Sequence, residues 1–319
     1  MKSGTHRERA ALALDGGLPD FVPHFEIEFQ ETSRDFEGRE FFTSGPGQDR
    51  TGLTAEQMNL HNARLRVDIA RKFDHSIIVS TFTPHCPGRT HGEETCEQVA
   101  MLRELTGGEF MILCSEDPTF AIPGSEMMEF VEKLYDNPQG MKDEAQRRVD
   151  ASLKSYESYR QAGADGFMLC SDYAFNQGPF LSPDMFAEFI TPYLHQAIDG
   201  IRDLGGYAIK HTDGNLMPVI DQILSCHPHA LHSLDPMAGM DIRELKEKYG
   251  QQVCLIGNVH CAHMQSGTPG QIRESAEYAL THGKPGGGYI FSTSNVVFRG
   301  MPMESYELIH SIWMENRAY

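Results

Sequence analysis

No run of apolar residues in this chain approaches the roughly 20 that a helix needs to cross a bilayer, so a membrane-spanning role is not expected. Basic residues are scarce as well: 27 lysines and arginines stand against 45 aspartates and glutamates, a formal charge of −18. Such a surface repels phosphate backbones and anionic membranes, and no dense Lys/Arg run makes a local exception, which argues against nucleic acid as a partner. A small anionic ligand in a locally basic pocket is not excluded by it. The seven cysteines, at 86, 96, 114, 170, 226, 254 and 261, include no Cys-x-x-Cys pair and are odd in number. They read as reduced thiols. The apolar run at 10–14 is too short for a signal peptide, so the cytoplasm is the expected location. Finally, no GxGxxG follows the first strand pattern and no GxxxxGK[ST] occurs, against the dinucleotide and P-loop folds.

What the chain does have is a regular alternation of short apolar runs and longer amphipathic segments. Strands are expected at 22–29, 76–81, 109–115, 166–171, 206–211, 230–234, 252–257 and 288–292. Helix signals fill the gaps. Thr268-Pro-Gly-Gln271 is a capping box with proline at the first helical position, Asp241-Ile-Arg-Glu244 repeats the logic, and Asn137-Pro138 opens a helix that Gly163 ends. Ser182-Pro183 starts another, with Phe186, Ile190, Tyr193, Ala197 and Ile201 on one stripe up to Leu204. Further helices fit 54–72, 94–106, 125–135, 215–225 and 303–313. About eight strands alternating with helices predict a distorted α/β (β/α)8 TIM barrel with an N-terminal extension, one domain over 1–319.

Chemistry in such a barrel collects where strands end, and one end stands out. In Gly206-Tyr-Ala-Ile-Lys-His211-Thr-Asp213-Gly214, strand alternation turns Ile209, His211 and Asp213 the same way. They read either as a reactive pair or as a core histidine followed by an aspartate capping a helix from Asn215. The other expected strand ends carry Glu26 and Glu28, Thr83 and His85, Glu116, Asp172 and Tyr173, His232 and Asp235, Asn258 and His260, and Ser292, Ser294 and Asn295. Acids and histidines in this number suit a divalent metal, acid/base work, or both. Cys261 adds a thiol beside His260, and the loop from His85 and Cys86 through His91 to Cys96 reads as a site or simply as a loop. No compact metal signature such as HExxH is present.

Several segments together resemble the uroporphyrinogen decarboxylase superfamily. They are 7–23, Gln161-Ala-Gly-Ala-Asp165-Gly, 178–193, His211-Thr-Asp-Gly214, Asp235-Pro-Met-Ala-Gly-Met-Asp241, Gly257-Asn258, Ser266-Gly-Thr-Pro269 and Gly286-Gly-Gly-Tyr-Ile290. The resemblance implies a distorted (β/α)8 barrel and one of two chemistries, porphyrinogen decarboxylation or methyl transfer involving corrinoid proteins or thiols. The superfamily's decarboxylases carry a basic Arg-Gln-Ala-Gly-Arg segment after the first strand, where this chain has the acidic 26–31. They also place an aspartate near the end of the second strand, where this chain has Val79-Ser-Thr-Phe-Thr83. The methyltransferase branch holds zinc by His-x-Cys after the fifth strand and a second cysteine after the last. Here His211 matches, Asp213 stands in the first cysteine's place, and 292–295 offer no cysteine. A His/Asp set makes a harder, oxygen-rich site.

The resemblance therefore implies a methyltransferase-like enzyme acting on a small methylated compound or a corrinoid-bound methyl group. Decarboxylation, or a barrel that only binds a ligand, are the alternatives. Expected catalytic residues are His211, Asp213, Asp172 and Glu116, with Glu26, Tyr173, Asn258, His260 and Ser294 at the substrate. His211, Asp213 and Asp235 would hold a divalent metal, zinc foremost, and the expected partners are a small molecule and a corrinoid protein.

Overall fold

The computed structural model of the protein describes residues 4–43, 52–81, 83–84 and 88–319. Seven strands form one all-parallel sheet: β1 (Ile77–Ser80), β2 (Met111–Ser115), β3 (Gly166–Leu169), β6 (Tyr207–Thr212), β7 (Ala230–Ser233), β8 (Cys254–Ile256) and β9 (Tyr289–Ile290), neighbours in that order. A two-stranded hairpin, β4 (Ala174–Phe175) and β5 (Gly178–Pro179), is inserted after β3. The sequence pattern did not foresee it. The expected first strand is present as an extended stave joined by bridges. His24 pairs parallel with Phe291 and Phe29 with Val297, while the Ser76 amide, at the foot of β1, donates to the His24 carbonyl at 2.6 Å. The stave thus lies between the last strand and the first, and the curled sheet is the distorted barrel that the alternation predicts.

Strand alternation sorts the side chains into two layers. Ile77, Val79, Met111, Leu113, Met168, Ile209, Ala230, Ile256 and Ile290 fill the barrel with Phe25 and Ile27 of the stave. Ile78, Ile112, Phe167, Leu169, Ala208, Leu231 and Leu255 face the helices instead. The N-terminal extension is the helix His6–Leu14, capped by Thr5 and Glu8; its Ala10, Ala13 and Leu14 join the inner layer, and the Arg7 amide bonds the Glu109 carbonyl just before β2. That contact is at the amino ends of the strands, so the helix closes the floor and leaves the carboxyl ends as the mouth.

The surrounding helices follow their caps. Thr54–Gln57, Thr90–Glu93 and Thr268–Gln271 are complete capping boxes, and the Asp241 side chain takes the amides of Arg243 and Glu244. Such caps are worth about 1 kcal/mol each. Two expectations are corrected. The stripe from Ser182 to Leu204 is two helices, Pro183–Phe189 and Thr191–Asp203, because Pro192 lacks an amide hydrogen and restarts the helix. The helix expected from Asn215 begins only at Ile220, since a turn occupies 217–219 around Pro218. Among the described residues no helix is long and apolar enough to cross a membrane.

Candidate functional site

The late start of that helix removes the capping reading of Asp213. Its side chain goes inward instead: Oδ1 accepts from Ser233 Oγ at 2.6 Å and Oδ2 from the Asn295 side-chain amide. Ser233 reaches it from a left-handed backbone conformation (φ 88°), followed by Leu234 at φ 52°. Such conformations cost on the order of 1–3 kcal/mol and persist where neighbours enforce them. Here Asn258 does so, its side-chain amide donating to the carbonyls of Leu234 (2.8 Å) and Met240 (3.1 Å). Asn258 is therefore a buried brace beneath the site.

Asp172 arrives from the end of β3. Its Oδ1 accepts the Asp213 amide at 3.1 Å and lies 3.8 Å from His211 Nε2, which is 3.9 Å from Asp213 Oδ1. The inserted hairpin fixes this approach, because the Asn215 amide bonds the Phe175 carbonyl. Gly214 (φ 84°) makes it feasible; a Cβ there would meet the Ala174 carbonyl oxygen at 2.3 Å. His211 is 7% exposed, and its other nitrogen, Nδ1, lies 2.7 Å from Nδ1 of His232.

Burial governs the protonation of this group. It pushes His211 down to about 4, against the pull of Asp172, and takes His232 well below the ordinary histidine range, so both rings are neutral at pH 7. It raises Asp213 to about 6, with the Ser233 and Asn295 hydrogen bonds opposing. Asp172, His211 and Asp213 each offer a ligand atom within 4.8 Å of the others. Donors on one zinc ion sit about 2.0–2.2 Å from it, hence roughly 3.4 Å apart. The observed 3.8 and 3.9 Å are slightly wider. The Ser233, Asn295 and His232 contacts are the kind of outer support that orients metal ligands. The residues fit a divalent cation of the oxygen-tolerant type.

Next to the cluster lies a cavity of about 460 Å³, lined by Asp235, Met237, Cys261, Ser294, Asn295 and Phe298 among others. Among the described residues its lining holds no lysine or arginine. Asn295 is the link, touching the cavity and Asp213 alike. Ser294 lines the cavity, and its carbonyl accepts from Ser233 Oγ at 2.7 Å. Burial pushes the Cys261 thiol up to about 11. That makes it a poor thiolate.

Other expected residues are placed elsewhere. Glu116 turns outward to Ser152, Ser155 and Tyr159 on the helix Pro138–Ala162, and burial raises its carboxyl; it does not reach the cluster. Tyr173 is wholly buried in the wall, its hydroxyl on Thr119. Glu26 is buried behind the last strand, against Ser292 and Thr293, rather than at the mouth. Asp235 caps the turn Pro236–Ala238 through the Met237 amide and is outside the metal-like triad. His260 stacks on His263, with ring centroids 3.9 Å apart, and caps the helix Cys261–Ser266. His85 and Cys86 lie outside the described residues. Sequence reasoning missed Asp117 and Lys210, a fully buried ion pair at 2.7 Å with the lysine also donating to the Leu169 and Ser171 carbonyls. A lysine inside an apolar strand was the signal.

Residues 118–312, more than half of the chain, match the family described as uroporphyrinogen decarboxylase (URO-D). The chain belongs to that family. It is 27% identical over 207 residues to the uroporphyrinogen decarboxylase of Pseudoalteromonas translucida, covering 60% of this chain and 54% of the relative. It thus spans about half the length of the curated relatives it matches. In fold it is similar to a methyltransferase from Methanosarcina mazei, with a TM-score of 0.76, 17% identity and 98% of each chain covered. It is also similar to a B12-independent methionine synthase from Shewanella in complex with selenomethionine (TM-score 0.55, 11% identity, 92% and 97% covered).

Proposed function

We propose that this URO-D family protein is a methyl-transfer enzyme acting on a small methylated compound, with Asp172, His211 and Asp213 as its reactive centre. The observation that carries the reading is the pairing of an acidic, metal-competent cluster with a cavity whose lining, among the described residues, carries no basic side chain. A porphyrinogen bears many carboxylates and needs cationic clamps to hold them. The described lining offers one carboxylate, Asp235, the amides of Gln265 and Asn295, and the apolar surfaces of Met237 and Phe298 instead. At about 460 Å³ it suits a small molecule. The full-length fold likeness to a methyltransferase supports the same side.

In this reading Met237 and Phe298 seat the apolar part of the substrate, and Asn295 spans from the cavity to Asp213. Ser233 and Asn295 hold the Asp213 carboxylate in one orientation, and Asp172, more exposed at 44% of its side chain, meets the incoming group at the rim. A divalent cation held by the triad, zinc foremost, would polarise the heteroatom that carries the methyl group. The methyl acceptor is a corrinoid carried by a partner protein.

The test supplies purified protein and zinc with reduced cobalamin and a panel of methoxyarenes, methyl thioethers and methylamines, and follows the visible spectrum. We expect conversion to methylcobalamin with one class of donor, and at least a hundredfold slower conversion with His211→Ala, the order expected for loss of a group that stabilises the reacting centre. Release of carbon dioxide from a porphyrinogen, with no cobalamin change on any donor, would overturn the reading in favour of decarboxylation.

A further inference from the structure

A second cavity lies at the opposite end of the barrel from the mouth. It measures about 310 Å³ and is lined by Asp15, Arg202, His229, Gln251 and Gln252 among others. Their places in the chain put it at the floor. Arg202 is in the last turn of the helix Thr191–Asp203, which descends to β6; His229 directly precedes β7; the two glutamines precede β8; and Asp15 ends the helix His6–Leu14 that closes the floor.

The backbone fixes the hydrogens of one of these side chains. The Ala208 amide, at the start of β6, donates to His229 Nδ1 at 3.0 Å. A ring nitrogen that accepts cannot also carry a proton, so the neutral imidazole bears its hydrogen on Nε2. Burial, and then the Arg202 guanidinium, push this ring down to about 4 against the pull of Asp15, which leaves it neutral at pH 7. Arg202 Nη1 lies 3.2 Å from His229 Nε2 and 3.5 Å from Nδ1. Neither nitrogen can accept from it, since one lone pair is taken by Ala208 and the other nitrogen carries a hydrogen. The guanidinium gives one hydrogen to the His227 carbonyl at 3.1 Å, and among the described residues no carboxylate pairs with it. Two donors therefore stand side by side at the cavity without an acceptor, the arrangement that a carboxylate or another oxyanion completes.

The opposite sign faces the same space. Asp15 caps the carboxyl end of the helix His6–Leu14, where the macrodipole is negative, and among the described residues its side chain has one hydrogen-bond partner, the Tyr207 hydroxyl at 3.3 Å. A carboxylate at such a helix end attracts a cation. The Tyr207 ring meets His229 edge to face with centroids 4.9 Å apart, so acid and donors follow one another along one wall. A bare anion on Arg202 would feel Asp15, and a bare cation on Asp15 would feel Arg202. A molecule with both charges satisfies both ends.

We propose that the floor cavity is a binding site for a small amino acid, its carboxylate held by Arg202 and the Nε2–H of His229 and its ammonium by Asp15. Gln251 and Gln252 border the space left for the side chain. The volume suits a ligand of this size and little more. The site lies beyond the chemistry proposed at the mouth and does not rest on it.

The test is calorimetric titration of the full chain with the twenty common amino acids and 4-aminobutyrate, with acetate, methylammonium and inorganic phosphate as controls. At least one amino acid should bind one to one, and each control, lacking one of the two charges, should bind at least about tenfold more weakly. Arg202→Gln and Asp15→Asn alter exposed side chains, and each should weaken the amino acid by about tenfold or more while zinc binding at the mouth stays as in wild type. Thermal unfolding checks that both variants fold. Spectra of wild-type protein with 15N-labelled histidine, His229 assigned through His229→Gln, give an arm that needs no floor variant to bind: His229 should be the Nε2–H tautomer at pH 7, and its Nε2 resonance should shift as the amino acid is added. Any one of four results overturns the proposal: no amino acid bound at millimolar concentration, phosphate or acetate bound as tightly as the best amino acid, affinity unchanged in both variants, or a His229 that carries its hydrogen on Nδ1. Loss of methyl transfer in every assay would leave the floor site standing.

Discussion

Lys210 and His211 are neighbours on β6 and live in different worlds. Lys210 faces the helix layer, fully buried, with Asp117 at 2.7 Å, two carbonyls as further acceptors, and the Tyr173 ring 4.0 Å below its ammonium. His211 faces the mouth, with one nitrogen on His232 and the other 3.8 and 3.9 Å from two carboxylates, close enough to attract and too far to bond. One residue has its partners complete. The other leaves a ring nitrogen facing two carboxylates beyond hydrogen-bond distance, which is the difference between a structural charge and the reactive centre we propose.

The largest effect should come from breaking the satisfied side. Lys210→Met leaves the Asp117 carboxylate buried without its cation, and such losses cost about 3–5 kcal/mol. His211→Ala removes one buried hydrogen bond and should cost about 1 kcal/mol. Urea unfolding of the two variants measures the contrast directly. Equal losses would show that His211 is as structural as Lys210.

Acid sharpens the same contrast, because the two carboxylates are shifted in opposite directions. Burial would raise Asp117, but Lys210 and the Thr119 donors outweigh it and hold it below the usual carboxylate range. Its stabilisation is present above the ordinary value of about 3.9 and is lost as pH falls through the folded value. Asp213, raised to about 6, behaves oppositely: its contribution is complete below about 3.9 and is lost as pH rises through 6. Asp213→Asn should therefore stabilise metal-free protein at pH 7.5, by about 2 kcal/mol, while abolishing zinc binding. At pH 5 the gain should shrink. Unchanged or lower stability at pH 7.5 would mean that Asp213 sits comfortably charged.

The same alternation rule explains what could be read from the chain and what could not. Period-two patterning located every strand of the sheet and the stave at 22–29, and it put His211 and Asp213 on one face at one strand end. It gave the first atom of the cluster through Asp172 as well, since a carboxylate just past β3 must emerge at the mouth. It failed where the backbone leaves the strand. Glu116 and Asp117 follow β2 directly, and only the folded backbone decides that the first turns to Tyr159 and the second to Lys210. Glu26 failed for a related reason: in a stave held by bridges, strand-end reasoning put it at the mouth, but Thr293 and Ser292 draw it into the wall. The His211–His232 contact joins neighbouring strands in register, and no single-chain pattern fixes which ring nitrogens meet.

The smallest expected effect tests whether the mouth side of β6, the proposed reactive side, is organised or merely crowded. Asn295 gives Asp213 one of its two side-chain hydrogen bonds and does not touch Lys210 or Asp117. Asn295→Ala should leave the unfolding midpoint close to wild type, because Asn295 is half-buried at the rim of an open cavity. Zinc affinity, measured by competition with a chromophoric chelator, should fall about tenfold, the low end for loss of an outer-shell partner. Losing that donor also lifts the Asp213 carboxyl further, so the pH at which zinc binding is half-complete should move up. A zinc affinity and pH midpoint equal to wild type would mean that Ser233 alone orients the carboxylate, and that the loop after β9 shapes the cavity without tuning the cluster.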